Sequence, residues 1–242
     1  MSSPTWTPAA VTSEAQALRC RVWRMVEAQH LAATAKLVET RAEQELLEEI
    51  LEASKPPIPA EAAGLDYLLF SPFRYDTRPP SGSSFRATTD PGVFYGAELP
   101  RTAAAEVAYW RFRFLRDCAG LDRLQPATFT SFSVSVATRA IDLRRPPFDR
   151  DEQAWRHPRD YGATQALART AREAEIGAIL YLSVRDPEPH FCAALLTPRA
   201  FAAKRPAAVT QTWILTLTNK EAIWLRGAEE SLVFATAPWG DG

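Results

Sequence analysis

The sequence is poor in the residues that build disulfide frameworks and metal sites. Its 242 residues include only three cysteines and three histidines. Cys20, Cys118 and Cys192 have no paired spacing, so neither a disulfide framework nor a Cys-x-x-Cys zinc knuckle is expected. The histidines are scattered, and a histidine-based metal site would need ligands from distant segments. We therefore predict no metal.

Positive charge is not in excess. The 28 lysines and arginines are balanced by 29 aspartates and glutamates, which gives a formal net charge of -1. A protein that binds a nucleic-acid backbone usually carries a basic patch, so we expect no direct contact with nucleic acid. Only four of the basic residues are lysines. Arginine supplies the rest, and its forked guanidinium suits carboxylates and phosphates.

Long hydrophobic runs are also missing. The longest apolar stretches, such as 176–182, are far too short to span a membrane. The first 16 residues lack the basic segment and apolar segment of a signal peptide. With 46% hydrophobic and 24% charged residues, the composition is typical of a globular protein. These features predict a soluble, cytoplasmic protein that does not enter a membrane.

The sequence lacks the common motifs of nucleotide-binding enzymes and hydrolases. It contains no GxGxxG, no GxxxxGK[ST], no GxSxG and no HExxH. A dinucleotide-binding dehydrogenase, a P-loop enzyme and a lipase-like hydrolase are therefore not expected.

Prolines divide the chain into segments. Residues 1–13 are predicted to be a disordered leader. Residues 14–54 contain no glycine or proline, and apolar side chains recur there at helical spacing, at Leu18, Val22 and Val26. We predict two helices in this stretch, ended by the prolines of 55–59. Residues 14–59 then form an N-terminal helical extension, and residues 60–242 form the main domain.

The main domain mixes strand and helix patterns. Residues 60–101 are rich in turn formers, which predicts short strands, including one at 93–95. A helix is predicted to begin at Thr102, with Thr102 as its N-cap, and another to cover 161–175. Further strands are predicted at 129–136, 178–182, 192–196, 209–218, 222–225 and 232–235. The fold class is α+β, with a core of mixed or antiparallel strands.

Three residues between 82 and 109 have the right chemistry for one cleft. Arg86 lies in a strand-like stretch, Tyr95 follows a tight turn, and Glu106 lies near the start of the predicted helix, where the helix dipole favours an anion. The trio offers a guanidinium, an aromatic face and a carboxylate. Spacing alone leaves ordinary alternatives open: an ion pair for Arg86, a core position for Tyr95 and a helix surface position for Glu106.

Several ordered segments resemble the RES-domain family. The resemblance covers roughly 67–201 and departs from the family at Ser84, where a second basic residue is more common. The segments that carry it are Phe73-Arg74, GSSFR at 82–86, GVFYGAE at 92–98, TAAAEVAY at 102–109, YGATQALA at 161–168 and ILYLSVRDP at 179–187.

The resemblance implies a fold, an activity and a partner. RES proteins are toxins of bacterial toxin–antitoxin pairs, have an ADP-ribosyltransferase-like fold and destroy NAD. The chain is then expected to be an NAD glycohydrolase or phosphorylase that cleaves the nicotinamide–ribose bond and passes ADP-ribose to water or phosphate. NAD would be a substrate, phosphate a co-substrate, and no cofactor would be needed. The partner would be a small helix-turn-helix antitoxin of the Xre type that covers the active site. We also expect a homodimer through the N-terminal helices.

The resemblance also implies residue roles. The family is named for an arginine, a glutamate and a serine, which correspond to Arg86, Glu106 and Ser183 as catalytic residues. Glu106 would hold the ribose and stabilise its developing positive charge, and Arg86 would anchor phosphate or ribose. Tyr95 would stack on nicotinamide, Ser183 would orient the sugar or amide, and Arg74 would be a further phosphate contact. Ordinary structural roles remain open for two of these residues: Ser183 could cap a turn, and Arg74 could be a surface charge. For Arg185 we favour a surface position.

Two other functions remain open. The same fold could transfer ADP-ribose to a protein, with the polar segment 144–160 as a recognition loop. Alternatively, the chain has lost activity and only binds its partner, although the complete set of candidate site residues speaks against this.

Overall fold

The computed structural model of the protein describes residues 5–28, 38–74, 82–228 and 230–240. The helices in these ranges are α1 (Pro8–Glu14), α2 (Arg41–Ser54), α3 (Tyr67–Arg74), α4 (Pro100–Asp117), α5 (Glu152–Trp155), α6 (Gly162–Glu173) and α7 (Ala237–Gly240). The strands are β1 (Gln16–Glu27), β2 (Phe94–Ala97), β3 (Arg123–Asp142), β4 (Ala178–Leu182), β5 (Phe191–Leu195), β6 (Thr210–Thr218), β7 (Glu221–Arg226) and β8 (Glu230–Ala235).

The eight strands form one mixed sheet in the order β1-β2-β5-β4-β3-β6-β7-β8. A further pairing between β1 and β3 joins five of the strands into a closed circuit, and β6, β7 and β8 continue the sheet beyond β3. The β3–β4 pair is parallel, and the other described pairs are antiparallel. The prediction of an α+β fold with a mixed sheet is confirmed.

The prediction of a wholly helical N-terminal extension is wrong. Residues Gln16–Glu27 form β1, which pairs with β3 at twelve successive positions and belongs to the main sheet. The segment is rich in strand-forming residues such as Val22 and Trp23. Residues 29–37, the rest of that predicted helix, lie outside the described residues. The second predicted helix is present as α2, and Thr40 and Glu43 form a capping box at its start.

The prediction of a disordered leader is also wrong for the part that the structure describes. Residues Pro8–Glu14 form α1, and the side chain of Val11 is fully buried. The ring of Trp6 packs 4.3 Å from that of Phe148, and its indole nitrogen donates a 3.0 Å hydrogen bond to Asp151. These contacts to distant residues order the segment. Residues 1–4 lie outside the described part of the chain.

Between 60 and 101, the strand at 93–95 is present as β2, but Tyr67–Arg74 is the helix α3 and not a strand. The turn-rich residues 75–81 lie outside the described ranges. Helix α4 begins at Pro100, two residues before the predicted N-cap, because proline is well suited to the first helical position. The strand predicted at 129–136 is present but much longer, as β3 extends six residues further at each end. The other later predicted strands and the helix at 161–175 appear within one or two residues of their predicted bounds.

Helix α4 packs on one face of the sheet and so places Glu106 next to the strands. Its buried alanines and aromatic residues join a core with side chains from β3, β6, β7 and β8. Two further clusters fill the closed part of the sheet and the space under α6. Of the helices in the described ranges, none has the length and apolar character that crossing a bilayer requires.

Candidate active site

A cavity opens where β1 and β2 separate. The described register pairs these strands at a single position, Trp23 with Ala97. Close approach there requires glycine, because a Cβ on Gly96 would lie 2.6 Å from a methyl group of Val22. Beside this point lies a cavity of about 200 Å³, here called the Glu106 cavity. It is lined by Trp23, Arg24, Met25, Ser83, Ser84, Tyr95, Gly96, Ala97, Ala103, Glu106, Val107, Trp110, Tyr181 and Cys192.

Ser183 holds the carboxylate of Glu106. Its Oγ donates a 2.7 Å hydrogen bond to Oε1 of Glu106. The same Oγ accepts hydrogen bonds from the backbone N–H groups of Arg185 and Asp186, each at 3.2 Å. Because those two donors occupy the lone pairs of the hydroxyl, its single proton is directed to Glu106. The structure thus brings together two of the three residues that the family resemblance predicted, and Ser183 also caps the turn that follows β4.

The loop after β4 is tied to the first turn of α4. The buried carboxylate of Asp186 accepts a 2.9 Å hydrogen bond from Thr102 Oγ1 and a 3.1 Å hydrogen bond from Arg101 Nε. Thr102 therefore does not cap its own helix but anchors this loop. The anchor lies one turn before Glu106 and keeps Ser183 in register with it.

Burial raises the pKa of Glu106 above the ordinary glutamate range. The hydrogen bond from Ser183 and the positive charge of Arg185 act against burial and lower the pKa, whereas the nearby charge of Asp186 raises it. The thiol of Cys192 also lies 4.0 Å from Oε1 of Glu106. The carboxylate is thus in a site of low polarity, where it interacts strongly with any positive charge that a ligand develops.

Arg185 is buried, so the expected surface position is wrong. Its guanidinium lies 3.5 Å from the centre of the Tyr109 ring and donates to the carbonyl of Pro158 and the hydroxyl of Tyr161. Arg185, Tyr109 and Tyr161 border a second, smaller space of about 20 Å³, here called the narrow cavity, which Glu106 also lines. Arg185 therefore supplies positive charge behind the carboxylate.

Tyr95 offers its ring to the Glu106 cavity and uses its hydroxyl elsewhere. The hydroxyl forms a 2.8 Å hydrogen bond with Ser83 Oγ and accepts a 3.0 Å hydrogen bond from the backbone N–H of Phe85. Burial raises the pKa of Tyr95, so the phenol stays neutral. The residue fixes the loop 83–86 against β2 and forms part of the cavity wall.

Arg24 is the site residue that the sequence did not reveal. It lies on β1, its guanidinium stacks 4.6 Å from the centre of the Phe94 ring, and it donates a 3.0 Å hydrogen bond to the carbonyl of Tyr95. Its Nε is buried and has no hydrogen-bond partner among the described residues. Burial lowers the pKa of Arg24 to about 10, so the group is still a cation at neutral pH. Arg24 thus places a cation at the lining of the cavity.

Arg86 and Arg74 are not among the described residues that line the Glu106 cavity. Arg86 donates from Nε to the carbonyl of Asp90, 3.1 Å away, within its own loop. Arg74 is buried against the end of α2, where it donates to Glu52 at 2.7 Å and to the carbonyl of Pro56 at 2.6 Å. Each arginine thus contacts local structure, and the role of both in substrate binding stays a prediction.

The arrangement suits a ligand with a flat ring, a sugar and an anionic group. Aromatic side chains supply the walls, Arg24 supplies a positive charge, and Glu106 supplies a carboxylate. Among the described residues, no group of three or more histidine, cysteine, aspartate or glutamate side chains is arranged to hold a metal ion.

The comparison with family models agrees with the predicted resemblance. A family model for the RES domain matches residues 58–218, about two thirds of the chain. This range includes Glu106 and Ser183 but not Arg24. A solved structure, the M. tuberculosis MbcT–MbcA toxin–antitoxin complex, is similar over 84% of this chain and 87% of that chain, with 12% identity and a TM-score of 0.44. A search of curated proteins found no match. On the family match, the chain belongs to the RES-domain family.

Proposed function

We propose that this protein cleaves the nicotinamide–ribose bond of NAD and is the toxin of a bacterial toxin–antitoxin pair. The proposal rests on membership of the RES-domain family and on the chemistry of the Glu106 cavity. The observation that carries it is the 2.7 Å hydrogen bond from Ser183 to Glu106, which holds a carboxylate at the wall of an aromatic cavity.

Cleavage of the nicotinamide–ribose bond requires a carboxylate but no general acid. The nicotinamide ring of NAD is cationic, so it leaves as a neutral molecule without being protonated. The ribose then develops positive charge in an oxocarbenium-like transition state. Glu106 stabilises that charge, and its position in a site of low polarity strengthens the interaction. The ionised form of Glu106 is therefore the active one.

Two further side chains position the substrate. Arg24 takes the anchoring role first assigned to Arg86, because it lines the cavity and its guanidinium, a cation at neutral pH, suits a phosphate oxygen. The ring of Tyr95 packs on the nicotinamide, and its hydroxyl stays bound to Ser83. Ser183 acts as a positioning residue for Glu106 through their hydrogen bond.

The acceptor of ADP-ribose is water or phosphate. Phosphate would need a cation next to the reacting carbon, and Arg24 lines the same cavity as Glu106. Turnover of NAD by the purified protein in phosphate-free and phosphate buffers, with mass spectrometry of the products, distinguishes the two. Free ADP-ribose in both buffers identifies a hydrolase, and a phosphorylated ADP-ribose identifies a phosphorylase.

The proposed partner is a small Xre-type helix-turn-helix antitoxin that covers the cavity, and the proposed location is the cytoplasm, where NAD is plentiful. We also propose a homodimer through α2. Leu46 and Ile50 of that helix are each 57% exposed, and contact with a second copy would bury them. Light scattering of the wild type and of a Leu46→Glu, Ile50→Glu variant tests this, since the variant is expected to be monomeric.

Expression in bacteria tests the toxin proposal. Induction of the wild-type chain from a tightly repressed promoter is expected to stop growth and to deplete cellular NAD within the same period. Glu106→Gln should do neither, and Glu173→Gln, an exposed position on α6, should behave as the wild type. Growth arrest with an unchanged NAD pool would contradict the proposal.

A further inference from the structure

Trp110 is an exposed tryptophan next to the proposed catalytic carboxylate. It follows Glu106 by four residues on α4, so the two side chains share one face of the helix. The residue is 39% exposed, and it lines both the Glu106 cavity and the narrow cavity. The indole therefore lies at the boundary between the two spaces and solvent.

The described aromatic neighbours of Trp110 do not stack on it in parallel. The ring of Tyr109 meets it edge-on, at 72° and 5.4 Å between centroids, and that of Tyr161 is tilted by 46° at 6.5 Å. A planar ligand that stacked on the exposed indole would remove apolar surface from water and gain favourable ring–ring contact.

The size of the Glu106 cavity leaves part of a dinucleotide outside it. Pockets that enclose a drug-sized ligand usually measure about 300–1,000 Å³, whereas the Glu106 cavity measures about 200 Å³. That space suits nicotinamide and part of its ribose. The second nucleoside of NAD must then lie beyond the cavity, against whichever surfaces border it.

We infer that Trp110 is the stacking surface for the adenine of the substrate. This inference rests on the proposed function, since it assumes that Glu106 binds the nicotinamide ribose. It makes Trp110 a specificity residue: it selects dinucleotides with a second, planar base over nicotinamide mononucleotide. Phe114, one turn further along α4, is 55% exposed but is not among the described residues that line either cavity. It is therefore the matched control.

Calorimetric titration with ADP-ribose tests the inference without any turnover. The ligands are ADP-ribose and ribose 5-phosphate, and the proteins are the wild type, Trp110→Ala, Trp110→Phe and Phe114→Ala. A base that stacks on an aromatic side chain gains binding affinity from the contact. We therefore expect Trp110→Ala to bind ADP-ribose about tenfold more weakly than the wild type. Trp110→Phe should recover most of the affinity, and Phe114→Ala should match the wild type. Ribose 5-phosphate binding should be the same in all four proteins.

Three outcomes would overturn the inference: equal ADP-ribose affinity in the wild type and a folded Trp110→Ala, equal losses for the two ligands, or no binding of ADP-ribose by the wild type. Circular dichroism and thermal unfolding check that each variant is folded. Nicotinamide release from NAD, measured in parallel, reports separately on the proposed function. Release by the wild type without any effect of Trp110→Ala on binding would overturn this inference alone.

Discussion

The hydroxyl of Ser183 donates a 2.7 Å hydrogen bond to the carboxylate of Glu106, although 77 residues separate them in the chain. The bond joins the end of β4 to helix α4, and the buried Asp186 holds the same two elements together through Thr102. The position of the Glu106 carboxylate therefore depends on the contact between α4 and the end of β4. Buried polar groups hold these two elements together.

Loss of this hydrogen bond should slow the reaction and move its pH dependence. We expect Ser183→Ala to lower the rate of nicotinamide release by roughly 10- to 100-fold, the range for a lost hydrogen bond to a charged group. The bond lowers the pKa of Glu106, so its removal raises that pKa. Because the ionised carboxylate is the active form, the acid limb of the pH–rate profile should shift to higher pH.

Ser231→Ala, at an exposed position on β8, is the control for Ser183→Ala and should change neither the rate nor the profile. An acid limb that stays in place in Ser183→Ala would show that Ser183 does not act through Glu106.

The second prediction separates Arg24 from the arginines that the sequence favoured. Arg24→Met should raise the KM for NAD by roughly 10- to 100-fold, because a charged donor to a phosphate is lost. The same change should have little effect with nicotinamide riboside, which has no phosphate. Arg74→Met should instead lower Tm with an unchanged KM, since Arg74 is buried against Glu52 and Pro56. Steady-state kinetics with NAD and nicotinamide riboside make the test. An equal rise in KM for both substrates in Arg24→Met would refute the assignment.

The third prediction concerns the buried Arg185. Arg185→Met removes the donor to Pro158 and Tyr161 and the charge above the Tyr109 ring. A hydrogen bond that involves a charged group contributes about 1.5–3 kcal/mol, and Tm falls by about 2–4 °C per kcal/mol in a chain of this size. We therefore expect a Tm lower by several degrees and a higher pKa of Glu106.

Arg156→Met removes an exposed arginine that pairs with Glu152, and it should leave Tm within about 1 °C of the wild type. Thermal unfolding of both variants makes the comparison. An unchanged Tm in Arg185→Met would show that this guanidinium is not essential to the loop after β4.

The fourth prediction follows from the cost of burying Glu106. Its pKa is raised in the folded protein, so the folded state holds the proton more tightly than the unfolded chain does. The stability linked to that proton is fully present below the unfolded pKa, about 4.3, and is lost as the pH rises through the folded pKa. Glu106→Gln cannot ionise at this position and does not lose this stability. The difference between its Tm and the wild-type Tm should therefore become more positive between pH 4 and pH 8. A difference in Tm that did not change with pH would contradict the raised pKa.

Local sequence patterns predicted most of the main domain. The strands β4 to β8 and the helix α6 are bounded by turn formers and have a clear period, so their positions agree closely with the predictions. The pairing of Glu106 with Ser183 came from the family resemblance, because no local pattern links residues so far apart.

The error at β1 has a specific physical cause. Leu18, Val22 and Val26 are spaced by four residues, and an interval of four fits one face of a helix and one face of a strand equally well. Cys20 and Arg24 fill the same strand face. The choice between the two structures was made by pairing with β3, more than a hundred residues away, and local propensity does not reveal such pairing. A helix at this position gives no reason to expect Arg24 near Glu106, whereas the strand β1 places it in the lining of the same cavity.

Arg185 and Asp186 were missed for a related reason. Their segment, Arg185-Asp186-Pro187, has the composition of an exposed turn. Both residues are buried because their partners are distant: Tyr109 and Tyr161 for Arg185, and Thr102 for Asp186. A buried charge is stable only with such partners, and the partners appear only in the folded chain.

Release of nicotinamide from NAD by the purified protein tests the central proposal most directly. The wild type and Glu173→Gln should release nicotinamide at the same rate, and a folded Glu106→Gln should be at least about a hundredfold slower, as expected when charge stabilisation of a transition state is lost. The Gln side chain keeps an acceptor for Ser183, so the comparison isolates the negative charge. Equal release by Glu106→Gln and the wild type, or no release by the wild type, would contradict the role proposed for Glu106.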